Sequence, residues 1–196
     1  MARRVGKDLR QPVKRLGQAV GELVWASNSA HSSISVLFTF LVNPNDGKPG
    51  MAMWHVLRSD KAQRDITVAV TTATLRRTSH LCKGILWAIG KLNSLSELRN
   101  DIVHMDVRFD TQTRPHLARF HPISSPPSRA DRLQRERNLV KTLRVATGDI
   151  LALGEYVFGL HLHRANPKDW PLPRRPRLRW VRAKDRGNAP YPHPIV

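Results

Sequence analysis

From Val13 onward, apolar residues return at gaps of three and four: Leu16, Val20, Leu23, Val24, then Ile34, Leu37, Phe38 and Leu41. That spacing places them along one side of a 3.6-residue helix and is incompatible with the alternation of a half-buried strand. The same period returns over 81–92 and again from Asp131 to Leu160. A chain so patterned is expected to be all-α, an up-and-down helical bundle. The polar stretch around Ser27, Asn28 and Ser29 leaves open whether the first segment is one long helix or two. The run Asn43 to Gly50, with two prolines and two glycines, then reads as a break, followed by a short helical or irregular piece over 51–57.

The remaining helices follow from their start signals. Asp60 and Gln63 fit a loose cap at the head of a helix to about Arg77, with Ala62, Ile66, Ala69, Val70 and Ala73 turned inward. Another starts near Ser79, carrying Leu81, Ile85, Ala88, Ile89 and Leu92. Ser94 and Glu97 have the spacing of a capping box, which predicts a fresh helix from Leu95. Residues 105–130 hold four prolines among scattered apolar residues and read as a long loop insertion, with a short hairpin as one form of it. Gly148, Gly154 and Gly159 weaken the last helix locally, and glycine also lets another helix approach closely.

Charge divides the chain differently. The formal net charge is +18 over 196 residues, a balance that favours polyanionic partners. Residues 1–15 hold six bases against one acid, and residues 164–196 hold nine against two, so +6 is left for 16–163. The first stretch reads as a basic N-terminal arm over 1–11. The last, with seven of the 14 prolines, reads as a disordered tail beyond a helical domain of 12–163. In that tail Arg174, Arg175, Arg177 and Arg179 lead up to Trp180, combining phosphate-seeking charge with a stacking surface for nucleic acid. The single Cys82 excludes a disulfide framework, and no run reaches the length of a membrane span. A soluble, cytoplasmic protein without membrane contact is the expectation.

The motif that carries chemistry is Arg99-Asn100-Asp101-Ile102-Val103-His104. It resembles the Arg-x4-His motif of the HEPN superfamily, in which a polar residue commonly follows the arginine, as Asn100 does. The resemblance spans about 12–163. It implies a helical bundle, often a homodimer, whose paired motifs form a metal-independent endoribonuclease that needs no cofactor. On that resemblance Arg99 holds the scissile phosphate, His104 moves a proton while the RNA 2′-hydroxyl attacks, and Asn100 completes the site. A toxin-like or defence role, with a protein antitoxin or other partner, belongs to the same implication. The superfamily also contains non-catalytic members, so a nucleic-acid-binding module and a helical partner-binding scaffold are the alternatives.

The residue types suit that chemistry. Histidine titrates near neutrality, and arginine offers a permanent planar fork to phosphate oxygens. A helix start just before Arg99 would add backbone N–H groups that favour phosphate. Five helical residues, however, leave Arg99 and His104 about 140° apart around the axis. Elsewhere, Asp60, Gln63, Arg64 and Asp65 read as a cap with solvated charges rather than a lining of the same cleft. His161 and His163 lack further ligands at suitable spacing for a metal, and Cys82 reads as a small core residue.

Overall fold

The computed structural model describes residues 2–109, 118–122 and 138–180. Its helices are α1 (Ala2–Val42), α2 (Gly47–Val56), α3 (Asp60–Thr74), α4 (His80–Val103) and α5 (Leu139–Ala165), with a hairpin of β1 (Met105–Phe109) and β2 (Ala118–Pro122) between the last two. The chain forms an all-helical bundle as its periodicity predicts, with the hairpin as its one addition among the described residues. β1 and β2 pair antiparallel, Met105 opposite Pro122 and Val107 opposite Phe120. The described part of the loop insertion therefore takes its hairpin form. The helical start expected at Asp131 lies outside the described residues, as do 181–196.

α1 is one unbroken helix of 41 residues, so the basic arm expected over 1–11 is helical from Ala2. Its serines do not interrupt it because their hydroxyls bond back to the preceding turn. Ser27 Oγ donates to Leu23 O at 2.8 Å and Ser32 Oγ to Asn28 O at 3.1 Å. Ala19, Leu23, Ala26, Ala30, Ile34 and Leu37 are buried along one stripe, and α1 packs most extensively on α5. α1 also touches α2, α3 and α4, which makes it the hub of the bundle.

Small residues set the α1–α5 distance. A Cβ at Gly154 would lie 3.0 Å from the Cα of Ala30, so glycine here permits the close approach that its place in the helix suggests. Facing residues Leu143, Ala146, Ile150, Leu153, Val157 and Leu160 are the α5 share of the core, and Ile85, Ile89, Leu92 and Leu95 of α4 join them.

α2 starts four residues earlier than its proline suggests. Asp46 accepts from Lys48 N–H at 3.0 Å as the cap, and Pro49 falls in the first turn, where its missing N–H costs nothing. Gly50 then lies against α1, where a Cβ would sit 2.8 Å from the Thr39 Cα. Gly50→Ala is expected to destabilise, since overpacking costs about 1–3 kcal/mol and helix propensity returns up to about 1 kcal/mol. Exposed Gly90, inside α4, has nothing within 4 Å of its would-be Cβ. Gly90→Ala is therefore expected to stabilise by roughly 0.5–1 kcal/mol. Urea titrations of the two variants check both signs.

α3 differs from its expected orientation. Ala69 and Ala73 are exposed, and the buried face is Arg64, Thr67 and Thr71. Both threonine hydroxyls donate to the carbonyl four residues earlier, at 2.7 Å each, so the polar stripe is satisfied within its own helix. The cap is Ser59, which accepts from Ala62 N–H at 3.1 Å; Gln63 instead ties α3 to the Trp54 and Leu57 carbonyls. Arg76 and Arg77 lie beyond the helix end at Thr74.

Residues 166–180, assigned by composition to a disordered tail, pack as a strap on α4 and α5. Leu178 is buried, Pro173 sits over Gly159, and the Arg175 guanidinium stacks on Trp87 with 5.2 Å to the ring centroid. The strap ends on Asp149, a carboxylate buried in α5. Its oxygens accept the backbone N–H groups of Arg179, at 2.9 and 3.0 Å, and Trp180, at 2.8 Å. Proline locks φ and lowers the entropy cost of such an extended segment, so a Pro-rich run need not be unstructured.

Candidate functional site

The Arg99 motif lies at the C-terminal end of α4, not at the start of a helix. α4 runs without a break through Ser94 and Glu97, because Ser94 Oγ donates to Gly90 O and Ser96 Oγ to Leu92 O at 2.8 Å. These hydroxyls serve the helix interior, so no capping box forms and no N-terminal dipole assists phosphate. The motif instead meets the negative end of the helix, where cationic side chains are favoured.

Arg99 and Asn100 are brought together: Arg99 Nη1 donates to Asn100 Oδ1 at 2.9 Å. The guanidinium is three-quarters covered and also faces the half-exposed Asp60 carboxylate at 3.8 Å. Its Nε is buried without a hydrogen-bond partner among the described residues. His104 is the C-cap, tied by its backbone N–H to Asn100 O at 3.2 Å. Its ring is exposed and does not line the crevice that holds Arg99. Within one chain the arginine and histidine therefore point to different places, as the helical geometry predicts.

The crevice lies between α1, α3 and α4 and includes His31, Asp60, Arg64, Ser96 and Arg99. Its free volume of about 20 Å³ suits a water molecule, not a nucleotide. Asp60 and Arg64, expected as cap and solvated charge, are part of it. Arg64 is buried, and its Nε donates to Asn93 Oδ1 at 2.5 Å. Burial lowers the Arg64 pKa, Asp60 and Asp65 oppose that shift, and Arg99 adds to it. Two guanidinium groups thus share the Asp60 carboxylate, with Asp65 adding its field at Arg64. His31 is the member that sequence reasoning missed, as is Asn93, which stands behind the crevice as the acceptor for Arg64. Asp60 and Arg64, four apart, carried the one usable signal.

His31 closes the crevice against Trp54, ring centroids 5.2 Å apart, with Nε2 3.4 Å from the Asp60 carbonyl oxygen. Burial lowers its pKa from 6.5; Asp60 and its carbonyl pull it up, and Arg64 and Arg99 push it down. A folded-state value below the unfolded one means that the unfolded chain binds more protons. Stability should accordingly rise with pH across the window up to 6.5 and carry the full deficit below it. Thermal unfolding at pH 5 and pH 8 is expected to show a smaller difference in His31→Gln than in the wild type. An unchanged difference would assign the dependence elsewhere, for instance to His161, whose pKa burial also lowers.

The expected nucleic-acid residues of the strap separate. Arg177 and Arg179 line a cavity on α5, Arg175 is taken up by Trp87, Arg174 is exposed, and Trp180 is half-buried against the core. His161 packs among Phe40 and Phe158, whereas His163 Nδ1 meets the Trp170 carbonyl at 2.8 Å. No group of three or more His, Cys, Asp or Glu among the described residues is placed to hold a metal. No helix among them is long and apolar enough to cross a membrane.

Comparison with family models, curated proteins and solved structures finds no match to this chain.

Proposed function

We propose that the protein is an RNA-cleaving enzyme of the HEPN type, with Arg99, Asn100 and His104 as its working residues. The observation that carries this reading is the local geometry of Arg99. Asn100 grips one end of its guanidinium, while Nε retains a hydrogen bond to give. A phosphate oxygen is a suitable acceptor for it once the narrow crevice opens to the substrate.

In the proposed reaction the RNA 2′-oxygen bonds to phosphorus and the bond to the 5′-oxygen breaks. One imidazole takes the 2′-hydroxyl proton and a protonated one delivers a proton to the 5′-oxygen. The products are a 2′,3′-cyclic phosphate and a free 5′-hydroxyl. Since His104 does not share a crevice with Arg99 of its own chain, the proposal includes a homodimer whose facing motifs make one cleft. RNA is the substrate class, and an antitoxin-like protein partner is the accompanying expectation.

The narrowness of the crevice favours a second reading, a non-catalytic nucleic-acid module or scaffold in which Arg99 ties α4 to α3. One assay separates them: RNA incubated with wild type, Arg99→Ala and His104→Ala, with the ends of the products identified. Cleavage that leaves cyclic phosphate, and is lost in both variants, supports the first. Absence of cleavage by the wild type, or equal cutting by all three, ends it.

A further inference from the structure

An open cavity of about 560 Å³ lies away from the Arg99 motif, between the N-terminal half of α5 and the strap. Its α5 side carries Lys141, Arg144 and Gly148, residues spaced three and four apart and so on one face. Its strap side carries Arg177 and Arg179.

Charge is what distinguishes it. Lys141, Arg144, Arg177 and Arg179 have no side-chain hydrogen bond or ion pair among the described residues. The one carboxylate lining the cavity, Asp149, is buried and engaged by two backbone N–H groups. Four cations without side-chain partners among the described residues face one concavity against a single engaged carboxylate, and a groove lined mainly by one sign of charge concentrates its field on an incoming anion. The Asp149 anchor holds the two strap arginines at this cavity, a placement that composition alone assigned to a loose tail. Gly148 meets nothing within 4 Å of a would-be Cβ, so the floor beside Lys141 and Arg144 is open.

We propose that this groove binds the phosphodiester backbone of single-stranded nucleic acid. Its volume falls in the range of about 300–1,000 Å³ typical of ligand pockets, which admits a short stretch of single strand and not a duplex. A concave site fits a strand better than it fits the flat headgroup layer of a membrane. The Lys and Arg side chains contact phosphates and carry no base preference, so binding is tolerant of sequence and steep in salt. The inference stands on these residues and not on RNA cleavage.

Fluorescence anisotropy of the full chain with a labelled 20-nucleotide single strand tests it. The double variant Lys141→Glu/Arg144→Glu is compared with Arg76→Glu/Arg77→Glu, an equal charge change on exposed residues outside the groove. Circular dichroism confirms that both fold. The groove variant is expected to lose at least about tenfold in affinity, with the slope of log K against log salt shallower by about 0.7 per lost contact. The control is expected to lose less than about threefold. An equal loss in the two would overturn the proposal in favour of diffuse attraction, and so would unchanged binding by the groove variant. A loss confined to phosphatidylserine vesicles, with the oligonucleotide still bound, would likewise overturn it. Read with a single strand of DNA, which lacks the 2′-hydroxyl that cleavage needs, binding is scored independently of cutting, which separates failure of this site from failure of the cleavage reading.

Discussion

Arg99→Ala is expected to slow RNA cleavage by about 10²–10³-fold, the loss usual when one preorganised donor is withdrawn from a developing oxyanion. Arg99→Lys should restore little of it. An ammonium group keeps the charge but lacks the planar fork that reaches Asn100 on one side and leaves Nε for phosphate on the other. His104→Ala is expected to cost about 10²–10⁴-fold, the range for general acid–base catalysis. It is also the cleaner variant. The ring is exposed and has no partner among the described residues, so its removal should change stability by no more than about 0.5 kcal/mol. Arg99 is three-quarters covered and paired with Asp60 at 3.8 Å, so its variants need a stability measurement beside the rate. If His104→Ala folds normally and cleaves at the wild-type rate, the proton carrier is another residue.

The second large effect concerns stability. Asp149→Ala is expected to lower the unfolding free energy by about 2–4 kcal/mol, because two backbone donors lose a charged acceptor. Asp149→Asn should lose roughly half as much, since its amide oxygen can still accept. The damage should begin locally: amide exchange at Arg179 and Trp180 is expected to accelerate before any core amide, releasing Leu178 from its buried position. Unchanged protection at those two amides would show that the strap is held by other contacts. Since the strap supplies Arg177 and Arg179 to the α5 groove, Asp149→Ala should also weaken single-strand binding.

The helices of this chain were largely legible in its sequence, and their polar content was not. The stripes of α4 and α5 were readable because leucine, isoleucine and valine recur on one face. α3 was misread because its buried face is Arg64, Thr67 and Thr71, residues that periodicity arguments place in solvent. Hydroxyls that bond their own helix, and an arginine met by Asn93 29 residues later, are invisible to a search for apolar spacing. The capping box at Ser94 failed for a related reason, since Ser94 and Ser96 satisfy carbonyls behind them. The strap was misjudged because composition counts prolines and charges but not the one carboxylate, Asp149, that ties them down. At the site, Arg99 and Asn100 stood out as a motif, whereas His31 carried no signal at all. It joins the crevice only through the crossing of α1 with α3 and α4.

The pairing of α1 with α5 joins residues more than 100 positions apart in the chain, Ala30 against Gly154 among them. During synthesis at about 5–20 residues per second, α1 therefore waits on the order of ten seconds or more for its principal partner. Its stripe of Leu23, Ile34 and Leu37 is without α5 for that interval, although α2, α3 and α4 become available sooner. Closure of so long a loop makes docking of α5 the step that completes the core of the described residues. The nascent chain is thus most exposed to aggregation just before α5 leaves the ribosome.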